Sequence, residues 1–160
     1  MLRNLLVAAV LALLPATAFA APTVTSVGPR VGASIDPDQL VVGGQLSLRE
    51  FAPGWSFDPS LELGFGDNQT VIAFNLDAYY HLRMSGTDWR PYLGPGLSVD
   101  FMSFDEPFGR RDQGETNVGL DLVAGFTLPA GRGDHWFTEL RFGVGDIPTL
   151  KIVGGFDFGR

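Results

Sequence analysis

The feature that most constrains this chain is a strict two-residue alternation of apolar and polar side chains, sustained over long segments. Successive side chains of a strand point to opposite faces, so this period predicts strands that meet two different environments. The alternation occurs eight times, near 27–35, 40–49, 55–66, 71–83, 89–102, 117–128, 136–145 and 150–159. Segment four shows it best. Ile72, Phe74, Leu76, Ala78, Tyr80 and Leu82 fall on one face, and Asn75, Asp77, His81 and Arg83 on the other. Strands of about 9–11 residues are the length a tilted strand needs to cross a bilayer core, whereas globular strands average about 5–6. These are membrane-length strands.

Across all eight segments the apolar face carries no charged residue, and Thr138 is its only hydrophilic side chain. The opposite face carries the cations Arg30, Arg49, Arg83, Arg90, Arg141 and Lys151. With them come the carboxylates Asp58, Glu62, Asp77, Asp100, Asp121, Glu139 and Asp157. Most of the 21 glycines share that polar face, while only Gly44 and Gly154 lie on the apolar one.

Two closed barrels could use such a pattern. A soluble lipocalin-like carrier turns the apolar face inward around a ligand. A membrane barrel turns it outward into lipid. Glycine alternating with long charged side chains suits a narrow lumen, whereas on a water-exposed face each glycine would only weaken its strand. If segment one rises from the periplasm, Trp55, Trp89 and Trp136 open upward strands, and Tyr80, Phe126, Phe156 and Phe158 close downward ones. All seven then form a girdle at the periplasmic interface. The sequence therefore predicts an all-β, eight-stranded, antiparallel up-and-down transmembrane barrel.

Residues 1–20 read as a processing signal. Arg3 supplies the positive charge, Leu5 to Leu14 an apolar run, Pro15 its end, and Ala18-Phe19-Ala20 a cleavage site. The expected barrel domain is residues 21–160, in the outer membrane of a Gram-negative bacterium. Loss of Arg3 takes the formal charge from −7 to −8, which disfavours nucleic acid as a partner. The chain has no cysteine, which excludes disulfides, a cysteine-linked lipid anchor and thiol chemistry.

The stretch Trp89-Arg90-Pro91-Tyr92-Leu93-Gly94-Pro95-Gly96-Leu97 resembles a strand motif of the small OmpA/OmpX-like outer-membrane barrel proteins. The final strand, with Leu150, Ile152, Gly154, Phe156 and Phe158, is similar to that family's C-terminal assembly signal, although Gly159 and Arg160 follow the last Phe. The resemblance implies assembly by the outer-membrane machinery and contact with membrane lipid and lipopolysaccharide.

No catalytic, metal or cofactor site emerges. His81 and His135 both fall at the periplasmic rim, and Ser98 and Asp100 have no histidine at their level. Six cations facing seven carboxylates in a narrow lumen are expected to pair, because an unpaired buried charge costs several kcal/mol. That reading makes the lumen a salt-bridged plug, with a narrow porin-like channel as the alternative. The segment 103–116 is a candidate surface-recognition loop through Phe104, Asp105, Glu106, Phe108, Arg110 and Arg111. The expected role is structural or interactive and not enzymatic, with no specific protein partner identified.

Overall fold

The computed structural model describes residues 23–67, 69–104 and 114–159. Among them are eight strands: β1 Val24–Ile35, β2 Gln39–Leu48, β3 Trp55–Gly66, β4 Gln69–His81, β5 Arg90–Phe104, β6 Glu115–Gly131, β7 Asp134–Gly145 and β8 Leu150–Gly159. Each pairs antiparallel with its sequence neighbour, and β1 pairs with β8 to close the barrel. Closure leaves no unpaired edge, which strands this long require whether they stand in lipid or in water. The proposed leader and loop residues Asp105, Glu106, Phe108, Arg110 and Arg111 lie outside the described residues.

The alternation fixes the faces and the structure fixes their direction. The apolar set points outward: Val31, Leu61, Leu120 and Ile152 are each more than half exposed, and Val144 is 74% exposed. The charged set points inward, where Arg141, Asp77 and Asn75 are 0% exposed. This overturns the lipocalin-like alternative, because an apolar ligand would find a lumen filled with ions. Leu76 pairs with Leu97 and Leu97 with Leu120, so three leucines from β4, β5 and β6 stand side by side around the outer surface.

Two local features follow from residue chemistry. Pro95 has no N–H, and the β4–β5 ladder runs from Asp77–Gly96 to Tyr80–Leu93 without pairing the two positions between. The β5–β6 ladder runs through Pro95 unbroken, opposite Leu122. The β6–β7 turn places Gly131, Arg132 and Gly133 at φ of 98°, 49° and 93°. Glycine takes this left-handed region freely, and here two glycines flank the one side chain that must adopt it.

The β7–β8 turn, residues 146–149, folds into the barrel mouth. Ile147 and Pro148 are buried there. Ile147 occupies the space over Gly119 and Gly143, where a Cβ on either glycine would strike its side chain. Backbone bonds hold the turn: Gly143 N donates to Thr149 O at 3.0 Å, and Thr149 N donates to Asp36 O at 3.3 Å.

The outward orientation makes a direct prediction for β4, where neighbours 75 and 76 face opposite ways. In protein refolded into bilayers, Leu76→Arg should lower unfolding free energy by about 2–4 kcal/mol, as expected for a lipid-facing cation near the midplane. A spin label at 76 should be relaxed by oxygen dissolved in lipid and protected from a water-soluble quencher. Protection from both at position 76 would show that this face does not meet acyl chains.

Candidate functional site

Among the described residues ionisable groups gather in the lumen, and its centre is a network around two arginines. From β1, Arg30 sends Nη2 to Glu139 Oε2 at 2.8 Å and Nη1 to Gln45 Oε1 at 3.0 Å. Its Nε forms a close ion pair with Glu62 Oε1 at 2.9 Å. From β7, Arg141 donates to both oxygens of Asp77 at 2.8 Å, a bidentate pair, and to Asp121 at 3.1 Å. Lys151 on β8 completes the cation set through Glu62 at 2.7 Å. The Arg30 guanidinium also lies 5.9 Å from the centre of the Phe137 ring.

Neutral donors extend the network. Tyr92 donates its hydroxyl to Glu139 Oε1 at 2.9 Å, the Tyr79 hydroxyl lies between Asp77 Oδ2 at 2.9 Å and Glu139 Oε1 at 3.0 Å, and the two rings pack 4.7 Å apart. Asn75 donates to Ser60 at 3.0 Å, and Ser98 Oγ lies 2.5 Å from Asp121 Oδ2. Periodicity placed Tyr92, Asn75 and Ser98 on the inner face without assigning them a role. Their signal was the same as that of the charges: a polar side chain at an inward position of a membrane-length strand.

Of the charged positions expected in the lumen, Arg30, Asp58, Glu62, Asp77, Asp100, Asp121, Glu139, Arg141, Lys151 and Asp157 are buried. Arg49, Arg83 and Arg90 are not. All three are exposed, and among the described residues none makes an ion pair. Arg49 and Arg83 lie just beyond the ends of β2 and β4, and Arg90 opens β5. Their side chains therefore stand at the mouth, where water solvates them. The correction matters for charge: three buried cations face seven buried carboxylates, instead of the near balance expected.

The surplus carboxylates lie toward the two ends. Asp157 accepts from Gln45 at 2.8 Å and pairs with His135 at 3.1 Å. Asp58 hydrogen-bonds Ser56 near the rim that holds the termini. That rim opens into a hollow of about 810 Å³ lined by Asp58, Ser56, His81, His135 and the three exposed arginines. The opposite mouth holds a hollow of about 300 Å³ with Asp100 in its wall.

The approach to catalytic geometry is at Ser56, whose Oγ lies 2.8 Å from His81 Nε2. The sequence reading missed this contact because the two residues are on different strands. A nucleophile–base arrangement needs the carboxylate on the far nitrogen of the histidine. Here the Ser56 hydroxyl donates to Asp58 instead, which leaves its oxygen to accept from His81 Nε2. Among the described residues no group of three His, Asp or Glu side chains could hold a metal ion.

On the outside, the seven aromatic residues placed at one interface form contacts. Trp55 meets Tyr80 at 5.4 Å, Trp89 stacks on Phe126 at 4.6 Å, and Trp136 meets Phe156 at 4.7 Å, with Phe158 4.9 Å further on. Phe51, which lies in the β2–β3 connection, joins them 6.5 Å from Trp55.

The chain matches no protein-family model, and no curated protein matches it. Among solved structures it is similar to the crystal structure of Neisserial surface protein A, with a TM-score of 0.64 and 14% identity, covering 84% of this chain and 93% of that one. It is also similar to the N-terminal β-barrel domain of Pseudomonas aeruginosa OprF, with a TM-score of 0.62 and 17% identity over 84% of this chain and 98% of that one. What these likenesses share with the chain is the fold, that of the small eight-stranded outer-membrane barrels.

Arg141→Ala should be among the most destabilising single changes, since it strands Asp77 and Asp121 without their cation. Breaking a buried pair from one side costs about 3–5 kcal/mol. Denaturant unfolding in bilayers should show a loss of that order. Arg141→Met with Asp77→Asn should recover part of it, because one stranded charge is then removed. Equal stability of the single and double variants would mean that Asp77 is not held by Arg141.

Proposed function

We propose that this chain is an outer-membrane barrel with a closed lumen, acting as a structural or surface-interaction protein and not as an enzyme. The observation that carries the reading is the belt of exposed apolar side chains around a closed barrel. Contiguous apolar surface beyond a few hundred Å² is rare on soluble monomers and marks contact with lipid or protein. Here the belt runs around the barrel and is bordered at one rim by the aromatic contacts, as a lipid-facing band requires. The rim with the chain termini is the periplasmic one in this reading, and the β5–β6 connection faces outward. Membrane lipid and lipopolysaccharide are then the first partners, and the assembly machinery reads β8.

Closure rests on the centre of the lumen, where Arg141, Asp77, Asn75, Glu62 and Glu139 are at most 1% exposed. Eight strands leave room only for side chains, and these fill it. Protein reconstituted in planar bilayers should show no steady conductance. A stable open level in the unmodified protein would favour the narrow-channel reading, with the carboxylate surplus making it cation-selective.

The Ser56–His81 contact supports a hydrolytic reading, and the position of Asp58 on the serine opposes it. A fluorophosphonate probe should therefore leave the folded barrel unlabelled. Labelling that disappears in Ser56→Ala would establish a reactive serine and overturn the non-enzymatic assignment.

A further inference from the structure

The mouth opposite the termini contains a hollow of about 300 Å³ inside the barrel wall. Gln39 of β2, Val71 of β4, Asp100 and Met102 of β5 and Asn117 of β6 line it from below, and Asp36, Glu115 and Asp146 border it above. Among the described residues its lining contains no lysine, arginine or histidine. The hollow at the other end is mixed, with three arginines and two histidines beside Glu50 and Asp58.

Two side chains in this wall are buried without a partner. Asp100 is 3% exposed, and its Oδ1 has no hydrogen-bond donor among the described residues; no cation there lies within ion-pair distance of it. Gln39 is 7% exposed, and its Nε2 has no acceptor. Lys151, the lumen cation near this end, is engaged with Glu62 at 2.7 Å. Buried carboxylates are ordinarily paired or hydrogen-bonded, because burial without compensation is costly. An unpartnered carboxylate oxygen in the wall of a hollow whose ionisable groups, among the described residues, are all acidic points to a positively charged occupant.

We propose that this hollow binds a small linear amine, with one primary ammonium on Asp100. An ammonium carries three donors and one charge, which a single carboxylate and neighbouring amide oxygens can satisfy. The Asn117 amide is close at hand, its Nδ2 donating to Met102 Sδ at 3.0 Å. Val71 and Met102 offer apolar and polarisable wall to the methylenes of the ligand. A second ammonium would lie toward the mouth, where Asp36, Glu115 and Asp146 stand apart along the border, which makes a diamine a better fit than a monoamine. A directly ligated divalent metal fits less well. Calcium takes six to eight oxygens, and among the described residues no three carboxylates converge to provide them.

The test uses the mature protein refolded in detergent micelles, with cadaverine as the probe, by calorimetry and by NMR of the side-chain amides of Gln39 and Asn117. Saturable binding that shifts both amides is expected, above any effect of sodium chloride at matched ionic strength. Asp100→Asn should weaken it at least tenfold. Glu115→Gln, at the exposed mouth, should weaken it by about two- to threefold, as a solvent-screened contact would. Heat-modifiable gel migration reports whether each variant folds, and Glu115→Gln carries the test if Asp100→Asn does not. Three outcomes overturn the site: no saturable binding, affinity unchanged in folded Asp100→Asn or in Glu115→Gln, or displacement of cadaverine by an equal concentration of magnesium. The measurement does not depend on where the protein resides in the cell, so its failure is separate from failure of the outer-membrane reading.

Discussion

The interaction on which the rest of the structure depends is the bidentate pair of Arg141 with Asp77, sealed at the centre of the lumen. A barrel with its apolar face outward cannot have a hydrocarbon core, so its interior must be stabilised by polar groups that satisfy one another. Each ion there has lost its water, and geometry decides whether the loss is recovered. The planar guanidinium meets that demand better than an ammonium, since its fork matches two carboxylate oxygens at once. Arg30 and Arg141 accordingly occupy the middle, and Lys151 takes the position nearer the mouth.

The central cluster is still one cation short: Arg30, Arg141 and Lys151 face Glu62, Asp77, Asp121 and Glu139. The deficit is met by neutral donors. Glu139 receives the Tyr92 hydroxyl besides Arg30, the Tyr79 hydroxyl serves Asp77 and Glu139 between them, and Asp121 has Ser98 within 2.5 Å besides Arg141. Hydrogen bonds to a charged acceptor are stronger than neutral ones, by roughly a factor of two. The packed rings of Tyr79 and Tyr92 therefore do more than fill space. They hold two hydroxyls against the Asp77–Glu139 carboxylate pair.

Strand number, face assignment and the aromatic rim were legible because each is a property of one strand read along its own axis. Period 2 assigns a face without reference to any neighbour. Depth is different. Whether an inward charge lies in the sealed middle or at the mouth depends on strand tilt and stagger, which no single segment records. Arg49, Arg83 and Arg90 have the same face signature as Arg141, yet they stand outside the sealed region. The same blindness hid the Ser56–His81 contact, which joins two strands. The buried turn at Ile147 was hidden for another reason: its socket consists of glycines on β6 and β7, and a missing side chain carries no periodic signal.

Depth also explains how a lumen with seven buried carboxylates and three buried cations can remain folded. The excess is not spread evenly. Asp58 borders the large hollow at the termini, Asp157 leans on His135 at the same end, and Asp100 borders the smaller hollow at the other. Each surplus charge is thus placed where water, a titratable histidine or a mobile ion can reach it, while the dry centre is left to groups that match. The two mouths then differ in lining: one sets three arginines and two histidines beside Glu50 and Asp58, and at the other the ionisable groups among the described residues are all carboxylates. Fields focused in a low-dielectric opening act on solutes before they make contact. The two ends of this closed barrel therefore present different charge to a small ion that approaches them.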